Sequence, residues 1–206
     1  MIVVRSVTEL SREIAKLRAE RAAIGFVPTM GALHAGHASL LEKCRAENDR
    51  AILSIYVNPT QFGPNEDLAR YPRTLESDLK IAEEAGVSLV FLPTDEEIYP
   101  KDFSTFLEVE GVSAPLCGRF RPGHFRGVAT VVYRLFQLLQ PTRAYFGLKD
   151  LQQCLVLDRM VKDMNVPVEM RFLPTFREMD GLAMSSRNRY LSAPDRALAP
   201  RINKAL

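Results

Sequence analysis

Ala23-Ile24-Gly25-Phe26-Val27-Pro28-Thr29-Met30-Gly31-Ala32-Leu33-His34-Ala35-Gly36-His37-Ala38-Ser39-Leu40-Leu41 reads as a strand, a glycine-containing turn and a helix start in direct succession. The apolar run to Val27 suits a buried strand, and the segment from Gly36 to Asn48 suits a helix. Such a turn gathers free backbone N–H groups and the positive end of the helix dipole at one point, which favours a phosphate. His34 and His37 fall on one side of the first helical turn. Each can donate a hydrogen bond to a phosphate oxygen or carry positive charge against it. Gly36 between them lets a flat base approach the backbone. The competing reading is that both histidines only cap the helix or line its exposed first turn; their place directly after a strand favours the ligand role.

Outward from this junction, short β-branched runs alternate with longer periodic segments. Strands are predicted at Ile2 to Val4, Ala23 to Val27, Ala51 to Val57, Ser88 to Leu92, Arg143 to Phe146 and Val168 to Phe172. Helices are predicted at Thr8 to Arg21, Gly36 to Asn48, Leu75 to Ala85, Val128 to Leu139 and Leu151 to Met164, with Thr74 as N-cap and Gly86 as the residue past the end of the third. Near-continuous apolar strands such as Ala51-Ile52-Leu53-Ser54-Ile55-Tyr56-Val57 are covered on both faces, so the expected class is α/β, with a Rossmann-like, doubly wound parallel sheet. Ligands of such sheets sit beyond the carboxyl ends of the strands, here the loops after Val27, Val57, Phe146 and Phe172. The division expected is residues 1–174 as an ATP-binding-type Rossmann-like domain, with 175–206 as the beginning of a truncated second domain. The chain thickens in Pro, Asp and Gly from Pro174 to Gly181, and the helical stretch from Ala193 stops at Leu206 without completing its pattern.

Composition narrows the function classes. The 206 residues can bury a core without a disulfide or metal staple. A balance of 27 basic against 25 acidic side chains argues against a surface that coats nucleic acid. Cys44, Cys117 and Cys154 form no C-x-x-C pair, which fits a reducing cytosol and gives no metal-ligating set. The start is too short in apolar residues for a signal-peptide core, and the most apolar stretch, Gly127 to Gln140, is broken by Arg134 and Gln137. A soluble, cytoplasmic protein with no membrane partner is expected.

Four further strings carry chemistry. Asn58-Pro59-Thr60-Gln61-Phe62 offers uncharged amides at a strand end, suited to orienting a carboxylate or hydroxyl, though alone it reads better as an ordinary solvated turn. Arg119-Phe120-Arg121-Pro122-Gly123-His124-Phe125-Arg126 is a cationic run that suits an anionic small molecule or a solvated face. In Gly147-Leu148-Lys149-Asp150, the lysine can neutralise phosphates, and the aspartate can cap the next helix or hold a ribose hydroxyl. Met184-Ser185-Ser186-Arg187-Asn188-Arg189 supplies hydroxyls and arginines on a loop able to close over a triphosphate.

Together, Pro28-Thr29-Met30-Gly31-Ala32-Leu33-His34-x-Gly36-His37, Asn58-Pro59-x-Gln61-Phe62, Arg121-Pro122-Gly123-His124-Phe125, Phe146-Gly147-x-Lys149-Asp150-x-Gln152-Gln153 and Ser185-Ser186-Arg187-Asn188 resemble the pantoate-β-alanine ligase family of the nucleotidylyltransferase superfamily. The resemblance runs through essentially the whole chain. It implies ATP-dependent condensation of (R)-pantoate with β-alanine to pantothenate, through a pantoyl-adenylate, with Mg2+ accompanying the ATP and no dedicated protein metal site. It also implies catalytic roles for His34, His37, Lys149, Ser185, Ser186 and Arg187. Met30, Gly36, Gly147, Lys149, Asp150, Phe176, Met184, Ser185, Ser186 and Arg187 would hold ATP. Pro28, Thr29, Met30, Asn58, Gln61, Arg121 and Gln153 would hold pantoate. A homodimer is implied as well, and no nucleic-acid partner. Two rivals stand beside it: a nucleotidylyltransferase that moves AMP onto a phosphorylated acceptor, and a nucleotide-binding module without catalysis.

Overall fold

The computed structural model describes residues 1–205. Six strands, β1 (Ile2–Val4), β2 (Ile24–Thr29), β3 (Arg50–Ile55), β4 (Leu89–Phe91), β5 (Arg143–Gly147) and β6 (Glu169–Leu173), form one sheet in the order β1-β4-β3-β2-β5-β6. Every pairing is parallel, with Phe26 opposite Ile52 on one side and Ala144 on the other. All six predicted strands are present, with ends shifted by a residue or two. One of these shifts is informative. β2 was expected to end before Pro28, which lacks an N–H, yet it runs to Thr29. It can do so because its pairing to β5 stops at Phe26, and from Val27 onward β3 is its only partner.

That early parting of β2 and β5 opens the crevice of the fold. From β2 the chain steps outward through β3 and β4, and later returns to the other side of β2 as β5 and β6. The loops after β2 and β5 therefore diverge at a topological switch point, where open α/β sheets bind their ligands.

Helices cover both faces, as a doubly wound sheet requires. α2 (Ala35–Glu47) and α3 (Leu75–Glu84) pack Leu41, Cys44 and Ala82 against Val27, Leu53, Val90 and Tyr145. On the other face α1 (Val7–Ala19), α6 (His124–Leu139) and α7 (Leu151–Asp163) pack against Phe26, Ile52, Phe91 and Phe146. Neighbouring strand residues thus alternate between two apolar cores, each large buried side chain worth about 1.5–3 kcal/mol. Two short helices, α4 (Asp95–Ile98) and α5 (Cys117–Phe120), carry no sequence period long enough to predict them.

Caps explain the helix ends. Ser6 and Glu9 close a capping box that starts α1. Gly86, at φ +73°, follows α3 as expected. Thr74 is the N-cap of α3, as expected, its carbonyl accepting from the Asp78 N–H at 2.9 Å; its hydroxyl makes no cap bond to the helix backbone and donates instead to the Asp78 carboxylate at 3.1 Å. After β6 the chain leaves the sheet. The stretch predicted as one helix from Ala193 divides at Pro200 into α8 (Ala193–Leu198), capped by Ser192, and α9 (Arg201–Ala205), with Leu206 outside the described residues. Arg196 of α8 pairs with Glu178 and Asp180, each at 2.6 Å, and so fastens this segment to the loop after β6. Among the described residues no helix is long and apolar enough to cross a membrane.

Candidate active site

A cleft of about 250 Å³ lies at the switch point between the ends of β2 and β5. Every site residue anticipated from the sequence lines it: Pro28, Thr29, Met30, His34, Gly36, His37, Asn58, Gln61, Arg121, Gly147, Lys149, Asp150, Gln153, Phe176, Met184, Ser185, Ser186 and Arg187. These come from five separate parts of the chain, which only the sheet topology brings together.

The histidine turn is built differently from its sequence reading. His34 is the N-cap of α2, and its Nδ1 accepts from the Gly36 N–H at 3.2 Å, while His37 Nδ1 accepts from the His34 N–H at 3.3 Å. The N–H groups of His37 and Ala38 both go to the His34 carbonyl, at 2.8 and 3.0 Å. The backbone donors of His34, Gly36, His37 and Ala38 are therefore already used. Capping and ligand binding prove compatible rather than alternative. With both Nδ1 atoms accepting, the ring protons sit on Nε2, the one ring donor left to each histidine.

Nor are these rings cations. Burial, with the neighbouring Lys149 charge, holds His34 below the usual imidazole range. Burial, then His34 and Lys149, push His37 down to about 3. Both are neutral hydrogen-bond donors at pH 7. A side chain at position 36 would press on the cap, because a Cβ there would lie 3.0 Å from His34 Cε1 and 3.4 Å from Phe176 Cβ.

The amide loop after β3 is a relay. Asn58, 1% exposed, donates from Nδ2 to Gln61 Oε1 at 3.0 Å and to the Gly127 carbonyl at 3.2 Å. Its Oδ1 accepts from the hydroxyls of Tyr99 and Thr60 at 2.8 and 2.9 Å. Asn58 thus has no hydrogen-bonding capacity to spare, and the substrate contact expected of it is revised to an indirect one. By engaging Gln61 Oε1 it leaves Gln61 presenting its NH2 group, which also reaches Met30 Sδ at 3.3 Å.

Arg121 is similarly occupied. Its guanidinium holds Glu66 with two bonds, at 2.7 and 2.5 Å, and donates to His124 Nε2 at 3.1 Å. His124 Nδ1 then donates to the Gln61 carbonyl at 2.8 Å. Burial lowers the His124 basicity first, and the Arg121 charge adds to it, so this ring too is neutral. Direct pairing of Arg121 with a substrate carboxylate would displace Glu66.

On the other side, Lys149 and Asp150 stand exposed at the β5–α7 junction, 3.4 Å apart. Asp150 precedes α7 without capping it. Arg187 spans the cleft mouth to Asp67 with two bonds of 2.8 Å and lies over the Tyr71 ring. Ser185 caps the turn that carries it. The sequence reading missed part of the wall: Tyr56, Phe62, Tyr71, His124, and the α6 face of Val128, Val131, Val132 and Leu135. The helical spacing of that face was legible, but it reads as core, and most of it is.

The comparisons agree with this geometry. Residues 2–206 match the family model described as pantoate-beta-alanine ligase. A pantothenate synthetase of Herpetosiphon aurantiacus is 60% identical over 194 residues, which are 94% of this chain and 70% of that one. The crystal structure of pantothenate synthetase from Thermus thermophilus superposes with a TM-score of 0.96 at 54% identity, covering 100% of this chain and 73% of that one. Pantoate-beta-alanine ligase from Francisella tularensis, complexed with beta-gamma ATP and beta-alanine, gives 0.94 at 40% identity, covering 99% of this chain and 78% of that one.

Proposed function

The chain belongs to the pantoate-β-alanine ligase family, enzymes of pantothenate synthesis, and from that premise we propose that it couples (R)-pantoate to β-alanine with ATP, through a pantoyl-adenylate, releasing AMP and pyrophosphate. The observation that carries this reading is the pairing of two kinds of surface in one cleft: neutral ring donors beside Lys149 and Arg187, and amide donors beside an apolar face of α6. The first suits a polyphosphate. The second suits a small branched acid whose carboxylate must be oriented without a competing cation.

In the first step a pantoate carboxylate oxygen attacks the α-phosphorus and pyrophosphate leaves. Two anions must meet, so the task is alignment and charge neutralisation, with no covalent enzyme nucleophile. His34 and His37 donate from Nε2, and Lys149, Ser185, Ser186 and Arg187 draw charge from the leaving pyrophosphate. Met30, Gly36, Gly147, Asp150, Phe176 and Met184 frame the nucleotide. Pro28, Thr29, Met30, Gln61 and Gln153 frame pantoate, with Asn58 and Arg121 holding Gln61 in place. In the second step the neutral β-alanine amine attacks the acyl carbon, the acyl–oxygen bond to AMP breaks, and water must be kept out.

Asp150 supplies the one carboxylate among the lining residues, and no cluster of three metal-ligating side chains occurs among the described residues. A Mg2+ arriving with ATP would be held chiefly by the phosphates, with Asp150 the cleft carboxylate able to serve as its protein ligand, and would supply neutralisation of phosphate charge. In the same reading residues 1–174 bind ATP and pantoate, residues 175–206 begin a lid, and the protein is a cytoplasmic homodimer.

Isotope exchange between pyrophosphate and ATP tests the proposal. Exchange that requires pantoate is expected; exchange that requires a phosphorylated acceptor instead would establish the nucleotidylyltransferase rival.

A further inference from the structure

A second cavity of about 310 Å³ shares Met30 and Tyr56 with the cleft and is lined in part by Gly31 and Asp78. Asp78 is only 1% exposed, sits in the first turn of α3, and belongs to none of the sequence motifs that mark the cleft. Its partners are all uncharged donors. Oδ2 accepts from the Ala32 N–H at 3.0 Å, and Oδ1 accepts from the Leu33 N–H at 2.8 Å and from the Thr74 hydroxyl at 3.1 Å.

The two backbone donors belong to an unusual turn. Gly31 and Ala32 are both left-handed, at φ +82° and +50°. Ala32 has a Cβ and gains nothing locally from that conformation, so something outside the turn must hold it there. Thr29 fixes the near end, its hydroxyl accepting from the Gly31 N–H at 3.2 Å and donating to the Ser54 carbonyl at 2.8 Å. Asp78 fixes the far end. The fit is close, since a Cβ on Gly31 would lie 3.0 Å from both Asp78 Oδ2 and Ile55 Cγ2. Successive N–H groups turned to one side make a concave anion site. Here the chain fills that site with its own carboxylate and turns the ligand-facing side, Met30 and His34, toward the cleft.

We infer that Asp78 is a positioning residue for the reaction: by clamping the left-handed Gly31-Ala32 turn from behind, it sets His34 against the phosphates while never touching a substrate. This inference rests on the proposed adenylation chemistry. Replacing Asp78 with Asn puts an N–H donor where one backbone N–H now points, which loosens the turn without removing bulk.

The test compares wild type with Asp78→Asn in pantoate-dependent pyrophosphate–ATP exchange, normalised to folded protein at the assay temperature. A fall of about tenfold or more in kcat/KM for ATP is expected, larger than the change in the pantoate KM, because His34 follows the turn directly whereas pantoate is also held by Gln61 and Gln153 on other elements. Faster amide hydrogen exchange at residues 31–33, against an unchanged rate in β3, is the accompanying structural signature. Absence of exchange in wild type would defeat the adenylation reading itself. An active wild type with an equally active Asp78→Asn protein, or loss matched only to unfolding, would overturn the role of Asp78. If Asp78→Asn does not fold, Thr74→Val removes one of the three bonds. A fall of about two- to fivefold in kcat/KM for ATP then supports the inference, and an unchanged value overturns it.

Discussion

All three histidines of the chain line the cleft, and each is held below its ordinary basicity chiefly by burial. In each the neutral ring does two jobs, one nitrogen fixed by the protein and the other directed by that choice. The arrangement has a consequence for stability. A histidine depressed in the folded state takes up its proton on unfolding, so the folded state loses ground as pH falls below the unfolded value near 6.5 and continues to lose it toward the folded value. For His37 that window extends to about 3. Each such proton weakens the fold by about 1.4 kcal/mol per pH unit inside its window. Denaturant melts at pH 7, 6 and 5 should show stability declining with acid, and His37→Gln should flatten the slope by close to one proton. The carboxylates share this sign but act in a lower window: Arg121 and Arg187 hold Glu66 and Asp67 low, so their contributions persist until the pH approaches the ordinary carboxylate range and are lost below it. A wild-type stability unchanged from pH 7 to 5 would contradict the neutral, buried state assigned to the rings.

At the scale of elements, the site depends on how α6 meets the loop after β3. Gly127, in the second turn of α6, lies against the Thr60 carbonyl so closely that a Cβ would collide with backbone. That contact brings the Asn58–Gln61 relay within reach of the Gly127 carbonyl. Gly127→Ala should therefore cost about 2–3 kcal/mol and lower Tm by roughly 5–10 °C, and it should raise the pantoate KM more than the ATP KM. Calorimetry and steady-state kinetics on one preparation check both. The same junction shows what the sequence conveys and what it withholds. The six strands and five long helices follow from apolar period and turn residues, because those patterns are local. The start of α6 at His124, four residues before its apolar run, does not follow, since it depends on the left-handed Gly123 and on packing against a loop sixty residues earlier. Asn58 shows the limit at a single side chain. Its residue type announces hydrogen bonding, but only the fold shows that all of it is spent internally. Tyr99, Glu66 and Asp67 are silent in sequence for the same reason, as ordinary residues made important by distant partners.

Across the whole molecule, five stretches from residue 28 to residue 187 converge because the strand order reverses between β2 and β5. The mouth of the resulting cleft is bridged by Arg187 and Asp67, 120 residues apart, and by the Tyr190 hydroxyl donating to the Arg70 carbonyl at 2.9 Å. For Arg187 to reach a phosphate it must exchange one anion for another. The partly exposed pair it leaves is worth at most about 1 kcal/mol, so the exchange is readily reversible. The floor and walls of the cleft, by contrast, are fixed by two cores and by side-chain relays buried beneath them. Fixed walls and an exchangeable clasp serve one event: the carboxylate bound beside Gln61 attacks the α-phosphorus held beside the histidine turn. Pantoate labelled with 18O in both carboxylate oxygens tests it most directly, with mass spectrometry of the products of one turnover. One 18O in AMP and one retained in the new amide are expected; label in inorganic phosphate or pyrophosphate, or unlabelled AMP, would rule out attack by the pantoate carboxylate on the α-phosphorus.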